Sequence, residues 1–389
     1  MNPTNRTALQ KVQGQPSWRI ASAEVEAFVT QRGGHVGPVT FDRRGRKLRP
    51  YSVAPWAEEP VDRSLPPILR ALRGDFFCLP FGGNATPFRG EKHPVHGETA
   101  NAPWRLESRE ASGGRTCLHL SLRTKVRPGR VDKRIWLLDG ENVVYSQDVL
   151  SGMNGPMNLG HHAMLKFPDE PGSGRVSTSR FVYGQVFPHA LEFPEQGGYS
   201  WLKPGAEFTS LEKVPTLDGQ TADLTHYPAR RGFEDLVMLV SDADQPFGWT
   251  AVAFPQQGYV WFALKDPRIL RETVFWISNG GRHYTPWNGR HVNVMGLEEV
   301  CSYFHLGLAE SARPNPISAK GIPTCLTLNP RTPLVVPYIM GVAAIPRGFD
   351  RVASIRANAS NRGITLESAS GKSARAAVQL DFLSAGSGW

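Results

Sequence analysis

The sequence predicts an all-β fold, a large antiparallel sandwich. Three observations predict it: many short apolar runs with a two-residue period, turn residues between those runs, and no sustained helical period. Val25, Ala27 and Val29 fall on one face of a strand, as do Leu118, Leu120 and Leu122. The runs 133–138 and 143–149 flank Asp139-Gly140-Glu141-Asn142. Asp-Gly accepts a positive φ, so this pair of runs reads as a hairpin. Residues 259–263 and 324–328 add strands, and the prolines of 333–342 point to an edge strand or a strand start. The 39 glycines and 32 prolines concentrate between the runs. Residues 188–225 are the least regular and are expected to loop over a sheet. The stretch 358–389, rich in Ser, Ala and Gly, is expected as an appended strand pair or a loosely held end.

A chain of 389 residues can bury a large core, and 40% hydrophobic with 20% charged residues argues against disorder. The division expected is a flexible segment over 1–17, one β-sandwich domain over 18–350, and a C-terminal extension over 351–389 packed on the same domain. The net charge is +9, but Lys and Arg are scattered with no run of five, so a nucleic-acid partner is not expected. Cys78, Cys117, Cys301 and Cys325 stand far apart, without a Cys-x-x-Cys pair. That argues against a zinc site or a disulfide framework and for buried thiols. No metal and no cofactor are expected. The polar start lacks the apolar core of a signal peptide, and no stretch reaches 18 apolar residues. The expectation is a cytoplasmic protein with no membrane partner.

Three segments gather residues able to do chemistry. The first is Arg73-Gly74-Asp75, Pro80-Phe81-Gly82-Gly83, His96-Gly97 and Trp104. The second is Gly160-His161-His162, and the third is Trp276, Trp287 and Gly296-Leu297-Glu298-Glu299. Histidine, carboxylate and aromatic side chains recur together between glycines. A sugar site needs that mixture: aromatic faces cover the C–H face of the ring, and planar polar groups read its hydroxyls. A carboxylate and an imidazole supply a base and an acid near neutral pH.

At these residues the chain resembles the aldose 1-epimerases (galactose mutarotases), nearest their hexose-6-phosphate epimerase branch. The resemblance spans about residues 18–345 and rests on the order of its motifs. Arg73-Gly74, Pro80-Phe81-Gly82, His96-Gly97 and Trp104 follow Ala27-Phe28-Val29, Gly33-Gly34 and Pro55-Trp56. Gly129, Lys133-Arg134-Ile135-Trp136-Leu137 and Asn154-Gly155-Pro156-Met157 come next. It implies the galactose-mutarotase-like antiparallel β-supersandwich, a small-molecule sugar as partner, and no cofactor. It also implies Glu298 as base and His162 as acid, with His96 bonding the ring-oxygen region or sharing the acid role. Glu299 is the rival of Glu298; adjacent strand residues face opposite sides, so only one of the two enters the cleft. His161 is the alternative to His162. Arg73 and Asp235 are expected to orient hydroxyls, and Trp276 or Trp287 to stack on the sugar. The pattern is departed from at three places: Ala163-Met164-Leu165 stands after His162 where the family carries Pro-Tyr-Phe, and two single positions differ. Asp75 replaces the second glycine after Arg73, and Asn101, a candidate substrate contact, stands where the epimerase branch carries an arginine. A different sugar, or a sugar-binding protein without catalysis, therefore stays open.

Overall fold

A computed structural model describes residues 8–62 and 64–384. The all-β expectation holds. Two large antiparallel sheets face each other across a shared core. One has nine strands, ordered His226–Tyr227, Gly174–Thr178, Gly248–Phe254, Tyr259–Lys265, Leu334–Ala344, Val143–Ser151, Gly129–Leu138, Arg115–Thr124 and Arg105–Ser112. The other has eight. Its central run is Phe181–Val186, Phe233–Ser241, Glu272–Asn279 and Val294–Cys301, and both Leu159–His161 and Ala163–Lys166 pair with the last of these.

The two-residue period sorts side chains into layers. In Tyr259–Lys265, Trp261 and Ala263 enter the central core, while Val260, Phe262 and Leu264 face outward into a second cluster. That second cluster is closed by Val352–Ala357, Ile364–Ser368 and Ser373–Ala376, a three-stranded sheet from the C-terminal stretch. Phe382 reaches Trp136 and Tyr145 from the same side. In Glu272–Asn279, Phe275 and Ile277 enter the central core, while Val274 and Trp276 face a third cluster on the far side of the eight-stranded sheet. The third cluster carries the cleft.

The hairpin around Gly140 forms as read, with Trp136 opposite Tyr145 and Gly140 at φ 86°. The segment 188–225 is mostly irregular, with two-residue strands at Glu207–Phe208, Val214–Pro215 and Thr221–Ala222. Two expectations need correction. Of the two readings of 333–342, the strand start holds, since Pro333 immediately precedes Leu334–Ala344, and the edge does not, since that strand is central from Tyr338 onward. Pro337 is tolerated because it precedes that point and pairs with one neighbour alone. Within 1–17, Gln10–Val12 and Gln15–Ala21 form a hairpin joined to Glu26–Thr30; residues 1–7 lie outside the described residues.

The central core also holds charge. Lys133 Nζ meets Asp148 at 2.9 Å, His161 Nδ1 meets Asp75 at 2.9 Å, and all four side chains are fully buried. Buried charges persist only when paired and hydrogen-bonded. The four cysteines are free thiols. No helix among the described residues is long and apolar enough to cross a membrane.

Candidate active site

The strand pairings fix which side chains meet. Gly160 pairs with Val300 and Ala163 with Leu297, in one common register. That register sets His162 opposite Glu298 and His161 opposite Glu299. Cross-strand partners on one face touch. His162 Nε2 lies 3.1 Å from Glu298 Oε1 on the cleft side. Glu299 turns into the central core, where it pairs with Lys265 and accepts from Thr250 and Thr273. His161 turns the same way, to Asp75.

His162 is held by stacking as well as register. Phe76 lies between two imidazoles, His35 at 4.2 Å and His162 at 4.5 Å between ring centroids, each at 21°. The His162 backbone N–H donates to Phe76 O at 2.9 Å. His96 stands at φ 56°, its N–H donating to Gly82 O. The Gly82 N–H approaches His96 Nδ1 at 3.3 Å, so the neutral ring carries its proton on Nε2. The His96 and His162 centroids are 5.0 Å apart.

A fourth group, His305, was not singled out from the sequence. It sits in the turn after Val294–Cys301, and its Nε2 is in direct hydrogen-bond contact with Glu298 Oε2. Gly83 N–H donates to His305 O at 2.6 Å, and a Cβ on Gly82 would stand 2.6 Å from that oxygen. Gly82 is therefore needed for close approach as well as for its φ of 95°. The only sequence signal for His305 is a histidine seven residues past Glu298, just before Gly307.

These groups floor a cavity of about 320 Å³. His96, His162 and His305 line it, with Trp276, Trp287, Phe76, Phe187 and Arg282 among its walls. Trp276 and Trp287 meet edge to face at 5.9 Å. Arg282 lies 4.7 Å over Trp287, with Nε 2.5 Å from Glu192 and 3.9 Å from Glu234. The one guanidinium among the described residues of the wall is thus already met by two carboxylates.

Burial governs the electrostatics. It pushes the Glu298 carboxyl well above the usual carboxylate range. It also drives His96 and His162 well below the usual imidazole range, helped at His96 by His305 and at His162 by His96 and His305. His305 falls to about 3, through burial and then Arg282. The imidazoles are neutral. Glu298 itself has no exposed surface; His162 and His305 stand between it and the cavity.

The other expected contacts lie elsewhere. Arg73 is fully buried and donates to the carbonyls of Ala71, Val12 and Gln13, stapling the N-terminal hairpin. It does not line the cavity. Asp235 accepts from the Trp201 and Leu202 N–H groups and lines a separate crevice of about 20 Å³, too small for a sugar. Its neighbour Glu234 takes the cleft side of the strand and accepts from Trp276 Nε1 at 3.1 Å. Asn101 does not line the cavity; it accepts from Ile68 N–H and donates to Val95 O and Gly97 O, clamping the loop that carries His96.

No family model matches the chain, and no curated protein matches its sequence. Solved structures do match its backbone. A galactose mutarotase-like protein from Clostridium acetobutylicum aligns at TM-score 0.60 and 12% identity, covering 87% of this chain and 98% of that one. An Escherichia coli K12 protein described as a candidate aldose 1-epimerase aligns at TM-score 0.57 and 13% identity, covering 85% and 100%. This chain has the galactose-mutarotase-like fold. A galactose mutarotase-related enzyme from Lactobacillus acidophilus shares it at TM-score 0.53 and 12% identity, over 84% and 97%. At such identities the likeness carries the fold alone, and the chemistry must be argued from the cleft.

The cluster also has the composition of a metal site. One ligand atom from each of His162, Glu298 and His305 lies within 4.8 Å of the others. The cysteine spacing bears only on thiolate ligands, and the expectation of no metal also rests on a base and an acid sufficing for mutarotation.

Proposed function

We propose that this cleft binds a sugar and interconverts its anomers by general acid–base catalysis. The observation that carries the reading is the 3.1 Å contact between His162, on the floor of an aromatic-walled cavity, and Glu298 directly beneath it. Anomer exchange removes the proton of the anomeric hydroxyl and gives one to the ring oxygen. The ring opens, the C1–C2 bond rotates, and closure delivers the other face. Glu298 takes the first proton and His162 gives the second.

The neutral state of both groups is compatible with this. A protonated Glu298 beside a neutral His162 holds the same number of protons as a carboxylate–imidazolium pair. The pair is neutral overall in either form. A carboxylate whose proton affinity burial has raised is also a stronger base once ionised. His96 presents Nε2–H as a donor to the ring-oxygen region. Trp276 and Trp287 supply apolar walls for the C–H faces. For Glu298 to touch the sugar, His305 must turn aside. His305 is 19% exposed and sits in a turn, so it is the group free to do so.

The names of the structural neighbours, aldose 1-epimerase and galactose mutarotase-like protein, agree with this reading. One observation favours a second: the complete cover of Glu298 suits a sugar-binding protein without catalysis. Anomer exchange measured by NMR separates the two. The panel is glucose, galactose, their 6-phosphates and a uronic acid. Faster exchange of one sugar, lost in Glu298→Gln, establishes the epimerase. Sugar affinity without faster exchange, retained in Glu298→Gln, establishes the binder.

A further inference from the structure

We propose that His162, Glu298 and His305 form a binding site for a divalent first-row transition metal, and that an occupied site is closed to the proton chemistry of the cleft. Two imidazoles and a carboxylate with open positions suit Zn²⁺, Co²⁺ or Fe²⁺. A metal holds two such ligands at about 2.1 Å each, so they lie within about 4.2 Å of one another. The three ligand atoms here already lie within 4.8 Å. A side-chain adjustment of under about 1 Å closes the set.

The contacts within the cluster point the same way. Glu298 Oε1 is buried and lacks a hydrogen-bond partner, although His162 Nε2 stands only 3.1 Å away. The two atoms are close but off the hydrogen-bond line. Lone pairs that converge on a common point, rather than on each other, leave that pattern. His162 and Glu298 are fixed by strand register, and His305 comes from a turn strapped to Gly82 and Gly83. Two ligands are therefore rigid and one can adjust. The cavity beyond the imidazoles gives a metal its route in and leaves room for water or ligand at the open positions.

His162 Nδ1 is buried without a hydrogen-bond partner. A metal-binding histidine usually has an outer bond there, and losing one costs about 10–100-fold in affinity. The expected affinity is thus about 10–100-fold below that of a site with the outer bond in place. Occupancy would pin His305 onto Glu298, the group that must move for a sugar to reach the carboxylate. This inhibitory clause rests on the proposed anomer exchange; the binding clause does not.

The test uses untagged full-length protein, stripped with EDTA and dialysed against Zn²⁺ or Co²⁺. The expected result is one metal per chain at about 100 µM free metal, with at least tenfold weaker binding in His305→Ala and Glu298→Gln and unchanged melting curves. His226→Ala, which removes a surface His–Asp pair, should bind as wild type. Less than one metal per chain, or equal binding in all variants, overturns the site. Should the cleft variants fail to fold, Co²⁺ broadening of imidazole resonances in the wild type decides. Broadening of His162 and His305 supports the site; broadening of His226 alone overturns it. Exchange slowed by Zn²⁺ and restored by EDTA supports the inhibitory clause. Exchange quickened by metal overturns that clause and the metal-free proton mechanism, while the binding site stands. If no sugar exchanges with or without metal, the epimerase reading fails and the binding count still decides the site.

Discussion

Replacing Glu298 by glutamine removes a base and changes little else. The two side chains are nearly isosteric, and the position is packed between His162 and His305 with no solvent contact. A positioned general base contributes about 10²–10⁴-fold. That equals about 3–5 kcal/mol of barrier. Nothing else on the cavity floor can take over at full strength. His96 presents a donor, and Glu299 is held on the far side of the strand by Lys265. The catalysed part of anomer exchange should therefore fall by at least about 10²-fold. The assay is saturation transfer between the anomeric resonances, with a melting curve to show that the variant folds. Exchange within about threefold of wild type in a folded variant would refute the base assignment, because that is far less than such a base contributes. Glu299→Gln supplies the contrast. It leaves Lys265 in the core without its carboxylate, which should cost on the order of 3 kcal/mol of stability and leave exchange by the folded fraction intact.

Removing His305 as alanine should uncover Glu298: KM falls several-fold while kcat stays within about threefold. A fall of about 10²-fold in kcat would instead make His305 a proton carrier in its own right. Lys133→Met strands the buried Asp148 and should cost about 3–5 kcal/mol in urea unfolding, with much of it recovered in Lys133→Met/Asp148→Leu; an equal loss in the double variant would refute the pairing argument. Burial raises the Glu234 carboxyl from 4.5 to about 7, against the lowering effect of Arg282. Between those values the folded state holds a proton that the unfolded state releases. Stability should thus fall as pH rises from about 4.5 to 7, by on the order of 3 kcal/mol from this group. Glu234→Gln should lessen that slope in urea titrations without abolishing it, because burial also raises Glu272 to about 8 and Asp235 to about 6; an unchanged slope would show that Glu234 does not contribute to it.

What was legible in the sequence is what strand periodicity writes there. A two-residue period assigns each side chain to one face, so the alternation that buries Trp261 and Phe262 in different layers also separates Glu298 from Glu299 and His162 from His161. The same rule shows why Asp235 fails as a cleft residue. It is one position out of phase, and Glu234 takes the face that Trp276 shares. Arg73 was misread for a different reason. An arginine beside a glycine looks the same in sequence whether its fork meets a ligand or three backbone carbonyls, and only the hairpin over 10–17 decides.

His305 was not legible because no period governs a turn. Its place depends on Gly82 and Gly83, more than 220 residues earlier, letting the backbone approach to 2.6 Å. Strand register thus fixes the half of the site made by His162 and Glu298, and a long-range turn contact supplies the half that covers it. The division has a functional consequence. The rigid half can hold a base and an acid at fixed separation, while the turn-borne imidazole decides whether a sugar, a metal or neither reaches them. Altering Gly82 should therefore disturb access to Glu298 before it disturbs the Glu298–His162 pair. In Gly82→Ala the added Cβ meets His305 O and must displace the turn. Metal affinity and KM should change together in that variant while the His162 ring, stacked on Phe76, keeps its chemical shift. A shifted His162 resonance with unchanged KM and metal affinity would show that the two halves are not separable in this way.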